Sequence, residues 1–212
     1  MDLVIIGCGG HGREVLGVVR SAAAACPQPG WQVVGFVDDH PSEVNLKRLR
    51  ALDVPFLGPV GHLRELPPST HYLIGIGDPR VRQSVDARVA EFGLPAASVV
   101  HPAATLGPDT VSGEGLVMFA GARVTTNVVL GRHVHLNQNC TVGHDSVLAD
   151  HVQVNPLAAV SGDCRLESGV LVGTTAAVLQ GLRVGTDATV GAGACVTRDV
   201  PAGAVVKGVP AR

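Results

Sequence analysis

The chain has 212 residues, 46% of them hydrophobic, 16% charged and 3% aromatic, and a formal net charge of −2. That balance belongs to a globular chain with room for one large or two modest domains, and it excludes a disordered polyampholyte. With no Lys/Arg run and few aromatics there is no footprint for nucleic acid or an anionic membrane surface, and no apolar run reaches the length of a membrane span.

The first apolar run, Leu3 to Ile6, begins almost at Met1 with no basic leader, so no secretory signal is expected. It ends in Gly7-Cys8-Gly9-Gly10-His11-Gly12, and Arg13 to about Ala24 reads as a helix. Gly7, Gly9 and Gly12 satisfy the G-x-G-x-x-G fingerprint, and a second strand, Gln32 to Val37, closes on the acidic pair Asp38-Asp39 at a suitable distance. Such glycines let backbone approach a phosphate, and the helix N-terminus favours its charge. Apolar stretches at Val54–Leu57 and Tyr72–Ile76 follow, the second closed by Gly77-Asp78, then a helix over Pro79–Glu91. Together these predict a small Rossmann-like α/β domain with a parallel sheet over residues 1–97. Its strands are too few for a full dinucleotide fold, so a mononucleotide fits better than NAD; a tight turn with no ligand remains a second reading. A dehydrogenase is disfavoured because no substrate domain of that type follows.

From Val100 to about Pro201 the pattern changes to a strict period of six. Stepping through Leu106, Met118, Val124 and Leu130 to Val196 meets a large apolar residue every time except at Ser112, and a second series four places on is small or aliphatic. Neither a helix nor a simple strand repeats this way, whereas a chain turning a corner every six residues does. Residues 98–212 are therefore predicted to form a parallel β-helix, three hexads to a coil, with coils stacked at roughly 4.8 Å. The large aliphatic is expected in the corner region of the interior, with the glycines that directly follow it, such as Gly143 and Gly173, making tight turns. A β-sandwich would need variable loop lengths, which the uninterrupted hexads from Leu130 onward lack. Of the five cysteines, none in a C-x-x-C pair, Cys140 and Cys164 fall in interior slots, which fits small hydrophobes in a reduced, cytoplasmic protein.

The hexads resemble the hexapeptide acyltransferase superfamily, whose members form left-handed β-helices, usually trimeric, that use acyl-CoA. The whole chain narrows this. VIIGCGGHGRE at the start, FVDD at 36–39, IGIGDPRVR at 74–82, GHDSVLADHVQVNP at 143–156 and the closing VVKGVPAR are similar to the bacterial nucleotide-aminosugar acetyltransferases. That group includes PglD-type UDP-4-amino-sugar N-acetyltransferases and NeuD-type sialic acid O-acetyltransferases. The resemblance implies transfer of acetyl from acetyl-CoA to the amine of a nucleotide-linked amino-sugar, by a homotrimer with its site between subunits, feeding polysaccharide synthesis.

An attacking amine or hydroxyl must lose a proton, and a sugar amine is largely protonated at neutral pH, so the reaction needs a base near pH 7. His144 is the candidate, with Asp145 to orient the ring and stabilise the imidazolium; the family often has Glu there, one carbon longer. By resemblance, acetyl-CoA contacts fall on Gln153, Thr174 and Ala192, with Gln153 standing where the family commonly has histidine. The nucleotide-sugar contacts fall on Gly9, Gly10, His11, Asp38, Asp39 and Gly77. His133 is expected one coil beneath His151. Two ligands without a nearby carboxylate make a poor zinc site, so a partly exposed surface or interface pair is expected, and no metal. An O-acetyltransferase would use the same base, and a β-helix assembly protein that had lost the chemistry is the rival from another class.

Overall fold

The computed structural model describes residues 1–26 and 30–212. Its first unit runs β1 (Asp2–Ile6), α1 (Gly10–Ala25), β2 (Gln32–Val37), α2 (Glu43–Arg50), β3 (Phe56–Gly58), a 3₁₀ turn (Val60–Glu65), β4 (His71–Ile74) and α3 (Pro79–Ala90). The strands form one parallel sheet in the order β3-β2-β1-β4. The chain thus winds outward from β1 and then crosses back to lay β4 on its other side. The crevice beyond the carboxyl ends of β1 and β4 is the topological switch point, where open α/β sheets take their ligands.

Helix α1 begins three residues earlier than predicted, because Gly9 is already its N-cap and Gly10 its first residue. Gly12 is a packing glycine: a Cβ there would lie 1.9 Å from the Gly7 carbonyl oxygen, so only glycine lets the helix close onto the strand end. Helix α2 and the 3₁₀ turn lie outside the sequence expectation. Helix α2 is short and buries only Leu49, so its hydrophobic period is faint; its start is marked by Ser42, whose Oγ accepts from the Asn45 amide at 3.2 Å.

From Val99 onward every strand is two residues long, and the strands stack into three parallel sheets of five, seven and six. This is the parallel β-helix that the hexads predict. Leu136, Val154, Val172 and Val190 pair in register up the seven-stranded sheet, one per coil. Both apolar series line a single core, Cys140 and Cys164 included. Ser112 breaks the rule at little cost because it is exposed in the first strand of the five-stranded sheet, with a neighbour on one side only. The period ends where Val200 bridges Val184 and Val206 pairs with Val190, which makes the last coil two residues shorter than the others.

Two expectations about the corners are corrected. The large aliphatic is the second residue of each strand and lies on the flat of the prism; the corner comes at the next residues. The left-handed conformation falls three places after the aliphatic, on Asn127, Asn139, Asp145 and Gly181 among others, residue types that tolerate positive φ. The glycine directly after the aliphatic has no such φ. It answers a different constraint: a Cβ on Gly173 would lie 2.6 Å from the Ala192 nitrogen and 2.7 Å from the Val190 oxygen, in the backbone of the coil above.

The two units share an apolar cluster in which Val15, Val18 and Val19 of α1 meet Val99, Val117 and Phe119. The glycine contrast is testable by urea unfolding. Gly173→Ala is expected to lower stability by about 1–3 kcal/mol through overpacking. Gly17→Ala, on the exposed side of α1 with nothing within 4 Å of the new methyl, is expected to raise it by roughly 0.5–1 kcal/mol.

Candidate active site

His144 and Asp145 form the corner after the Thr141–Val142 strand of the six-stranded sheet. His144 Nδ1 and Asp145 Oδ2 are 2.6 Å apart, so the shorter aspartate does reach the ring. The other carboxylate oxygen accepts from Asn127 Nδ2 at 2.6 Å, one coil below. These two hydrogen bonds, Asn127's first, hold the Asp145 carboxyl below the ordinary carboxylate value. With Nδ1–H directed at an ionised carboxylate, the imidazole keeps its lone pair on Nε2. That nitrogen lies over Gly162 in the coil above, where a Cβ would sit 2.5 Å from it. The column Asn127, Asp145 with His144, and Gly162 is therefore an imidazole, its anchor and the space for its ring, an arrangement able to accept a proton at Nε2. The His144 side chain is 63% exposed.

Thr174 and Ala192 follow the Leu171–Val172 and Thr189–Val190 strands of the seven-stranded sheet, exposed and one coil apart. They stand on a different edge of the prism from His144, so a single chain does not bring the expected base and the expected cofactor contacts together.

Gly9, Gly10 and His11 open α1, and Gly77 follows β4, so all four sit at the switch point. Gly9 supplies no side-chain cap, leaving the first helical N–H groups unclaimed by any side chain. Asp38 and Asp39 follow β2 and line a cleft of about 160 Å³ with Gly7, His40 and Ile76. Their carboxylates already have work: Asp38 accepts from the amides of Cys8 at 2.8 Å and His40 at 2.9 Å. Asp39 accepts from the Val60 amide at 3.0 Å and pairs with Arg88 at 2.5 Å. Partial burial opposes ionisation of Asp39, but Arg88 and the Val60 amide outweigh it and lower its pKa.

The most polar buried region is neither of these. It is the seam where α3 meets the corner between the five- and seven-stranded sheets. Arg82, fully buried, donates through Nε to the His133 carbonyl at 3.1 Å. Its Nη1 donates to the Ile76 carbonyl at 2.7 Å, the Gly77 carbonyl at 3.2 Å and Gln153 Oε1 at 3.0 Å, and its Nη2 to the His151 carbonyl at 2.8 Å. One turn along, Asp86 accepts from His133 Nε2 at 2.9 Å, His151 Nε2 at 3.0 Å, Tyr72 Oη and Arg132. Burial alone would raise the Asp86 pKa; the hydrogen bonds from His133, His151 and Arg132 reverse that and push it far below the carboxylate range.

The expectation of a partly exposed pair at His133 and His151 is thus corrected: both are buried, and α3 brings a carboxylate to them that sequence distance concealed. Among the described residues no group of His, Cys, Asp or Glu is arranged to hold a metal. Gln153 is also in the seam, 1% exposed, its oxygen held by Arg82 and its nitrogen donating to Asn155 Oδ1 at 3.1 Å. No face of its amide is open to an acyl group in this arrangement, which corrects its assignment to the cofactor. Sequence reasoning passed over Arg82 and Asp86. Their four-residue spacing on a predicted helix was visible, but such a pair more often faces solvent.

A family model, the PglD N-terminal domain, matches residues 2–89. The acetyltransferase domain of PglB from Neisseria gonorrhoeae, solved in complex with acetyl coenzyme A, matches 100% of this chain and 98% of its own at 31% identity, with a TM-score of 0.84. This chain belongs to the PglD-type nucleotide-aminosugar acetyltransferase family. PerB from Caulobacter crescentus, solved with CoA and GDP-perosamine, matches with a TM-score of 0.88 at 28% identity, over 100% of this chain and 96% of that one. The GDP-perosamine N-acetyltransferase of Escherichia coli is 28% identical over 141 residues, 66% of this chain and 61% of that protein, so the match spans less than two thirds of this curated relative. The two-part architecture, α/β sheet then β-helix, aligns with 96% of the PerB chain and 98% of the PglB domain.

The Asp86 pKa is lowered in the folded state, so its stabilisation is complete above the ordinary carboxylate pKa and is lost as pH falls. Asp86→Asn is expected to cost about 3–5 kcal/mol at pH 7, the scale of a broken buried pair. In a urea series the gap to wild type should narrow below about pH 4.

Proposed function

We propose that the protein transfers the acetyl group of acetyl-CoA to the amine of a nucleotide-linked amino-sugar, with His144 as general base and Asp145 as its orienting partner. The observation that carries this reading is the 2.6 Å contact between His144 Nδ1 and Asp145 Oδ2, which leaves Nε2 as the free basic nitrogen. The amine attacks the thioester carbonyl directly and Nε2 takes its proton, with the Asp145 carboxylate stabilising the imidazolium that forms; the tetrahedral intermediate then breaks its C–S bond, and CoA leaves as the thiol with the proton the imidazolium returns. No covalent acyl-enzyme is needed, since an amine deprotonated by a neighbouring base attacks the thioester itself; of the β-helix cysteines, Cys140 and Cys164 are buried in the prism and Cys195 is half-buried.

Among the relatives, PerB was solved with CoA and GDP-perosamine, and two further Caulobacter structures are of variants with a single histidine replaced by asparagine or alanine. The ligand pair bound by PerB supports an amine acceptor here. The nucleotide is assigned to the switch point, with its phosphates at Gly9, Gly10, His11 and Gly77 and its base or ribose beside Asp38 and Asp39. Acetyl-CoA is assigned to the groove at Thr174 and Ala192. An exposed base on one prism edge and cofactor residues on another support a homotrimer whose active site lies between copies. No described helix is long and apolar enough to cross a membrane. We place the enzyme in the cytoplasm on its substrates, and its product in polysaccharide synthesis.

The test is thiol release from acetyl-CoA with UDP-, GDP- and dTDP-linked 4-amino-sugars and their hydroxy counterparts. Turnover of one amino-sugar nucleotide, the UDP-linked type of the sequence reading or the GDP-linked type of PerB, establishes N-acetylation. Turnover of hydroxy sugars alone would replace it with O-acetylation. His144→Ala is expected to lower kcat by roughly 10²–10⁴-fold, and wild-type turnover would remove the base. Gly162→Ala, which places a methyl against Nε2, is expected to reduce kcat with little change in thermal midpoint.

A further inference from the structure

His11, at the opening of α1, reaches across the seam to the β-helix. Its Nε2 lies 3.0 Å from Nδ1 of His135, and the rings stack with centroids 5.2 Å apart. Two neutral imidazoles in such contact share one proton, so one ring donates and the other accepts. Burial foremost, then the Arg82 charge, pushes the His11 pKa down to about 4 and lowers that of His135 well below its ordinary value. Both rings are therefore neutral at pH 7, and the open matter is which one carries the shared hydrogen.

Each end of the pair selects the same answer. His135 is wholly buried and its Nε2 has no partner. Were His11 the donor, His135 would carry its own hydrogen on that Nε2, an orphaned N–H in the interior near the Arg82 cation. With His135 as donor, only a bare lone pair is left there, which the same cation favours. Buried unpaired N–H groups are the rarer and costlier of the two. At the far end, His11 Nδ1 lies 3.9 Å from Glu14 Oε2, and a carboxylate favours an N–H over a lone pair. Gly77 leaves room beside that nitrogen, since even an added Cβ would stand 3.7 Å from it.

We infer that His135 is a positioning residue that fixes His11 as its Nδ1–H tautomer, so that the glycine turn presents an uncharged side-chain donor beside Gly77. Given the function proposed above, on which this second step rests, the donor faces a phosphate oxygen of the nucleoside diphosphate. It complements the backbone N–H groups at the start of α1. His135 sits in the outward column of the seven-stranded sheet, paired with Gln153 and Val117, so the β-helix itself sets the proton inventory of the nucleotide site.

Two-bond ¹H–¹⁵N spectra of histidine-labelled protein at pH 7, with signals assigned by their loss in His11→Gln and His135→Leu, read the tautomers without any substrate. Hydrogen on His11 Nδ1 and on His135 Nδ1 is the expected result; hydrogen on His11 Nε2 overturns the inference whatever the activity. In kinetics, His135→Leu is expected to raise KM for the amino-sugar nucleotide roughly tenfold or more, the scale of a lost hydrogen bond to a charged group. The rise should fall on the nucleotide-sugar and not on acetyl-CoA. His135→Asn, whose amide nitrogen takes the place of Nδ1, should restore most of the loss; equal defects in the Leu and Asn variants would overturn the positioning role. If wild type turns over no amino-sugar nucleotide, the proposed function falls while the spectra still decide the tautomer.

Discussion

Two opposite charges one turn apart on α3 hold the molecule's two units in a single geometry. Burying a guanidinium without a carboxylate partner is expensive, and Arg82 offsets the cost by donating to backbone carbonyls of Ile76, Gly77, His133 and His151 and to Gln153. Arg suits this work because its donors form a planar fork that reaches several acceptors at once. Asp86 then takes the ring nitrogens of the same two histidines whose carbonyls Arg82 holds. His133 and His151 both adopt left-handed backbone at φ 52° and 61°, so each presents its carbonyl and its ring to the same helix. The prism corner is gripped at two chemical groups per coil, and a slide along the prism would break both sets. Since Arg82 also holds the Gly77 carbonyl, the floor of the proposed nucleotide site and the β-helix share one anchor.

The repeat explains how chemistry arises on so regular a scaffold. The core needs the strand aliphatics and the small residues before each strand; it makes no demand on the two residues at the corner beyond a left-handed backbone at the second. Asp145 fills that structural slot at φ 61°, a conformation Asp tolerates, and its carboxylate is then free to serve His144. Stacking supplies the rest. The corner below provides Asn127 to fix the carboxylate, and the corner above has Gly162 to admit the ring. The pair proposed as base and orienting partner is thus made from positions the fold leaves open, with its support taken from the coils on either side.

What the sequence made legible follows from which interactions are periodic. The hexads specify the β-helix because every coil repeats the same burial, and the glycine turn with four apolar runs specifies the parallel sheet. The His144–Asp145 pairing was foreseeable because adjacent polar residues at a corner stand out against an aliphatic repeat, and the structure puts the two in hydrogen-bond contact. The corners were misplaced because period alone does not say which residue of six bends the chain; only the series of positive φ values at Asn127, Asn139 and Asp145 does. The seam was illegible for another reason. Gln153, His133 and His151 point outward from the prism, and outward polar residues read as solvated; the helix that covers them lies some fifty to seventy residues away in the chain. The partners that change their meaning, Arg82 and Asp86, themselves look like an ordinary exposed pair.

An outward column that is polar yet covered has a consequence for how the α/β unit is seated. Along the seven-stranded sheet, His135 and Gln153 replace the aliphatic side chains that would have made a greasy, slippery contact with the α/β unit. Apolar packing of α1 against Val99, Val117 and Phe119 supplies attraction without direction, since the hydrophobic effect is roughly proportional to area. Hydrogen bonds from Arg82 to Gln153 and between His11 and His135 add direction, because their strength collapses with small changes of distance and angle. A direct transfer between two bound substrates gains its rate from holding reacting atoms in a near-attack geometry, where an ångström of drift is costly. The polar seam therefore does for the α/β unit what coil stacking does for His144: it converts a stable contact into a defined one.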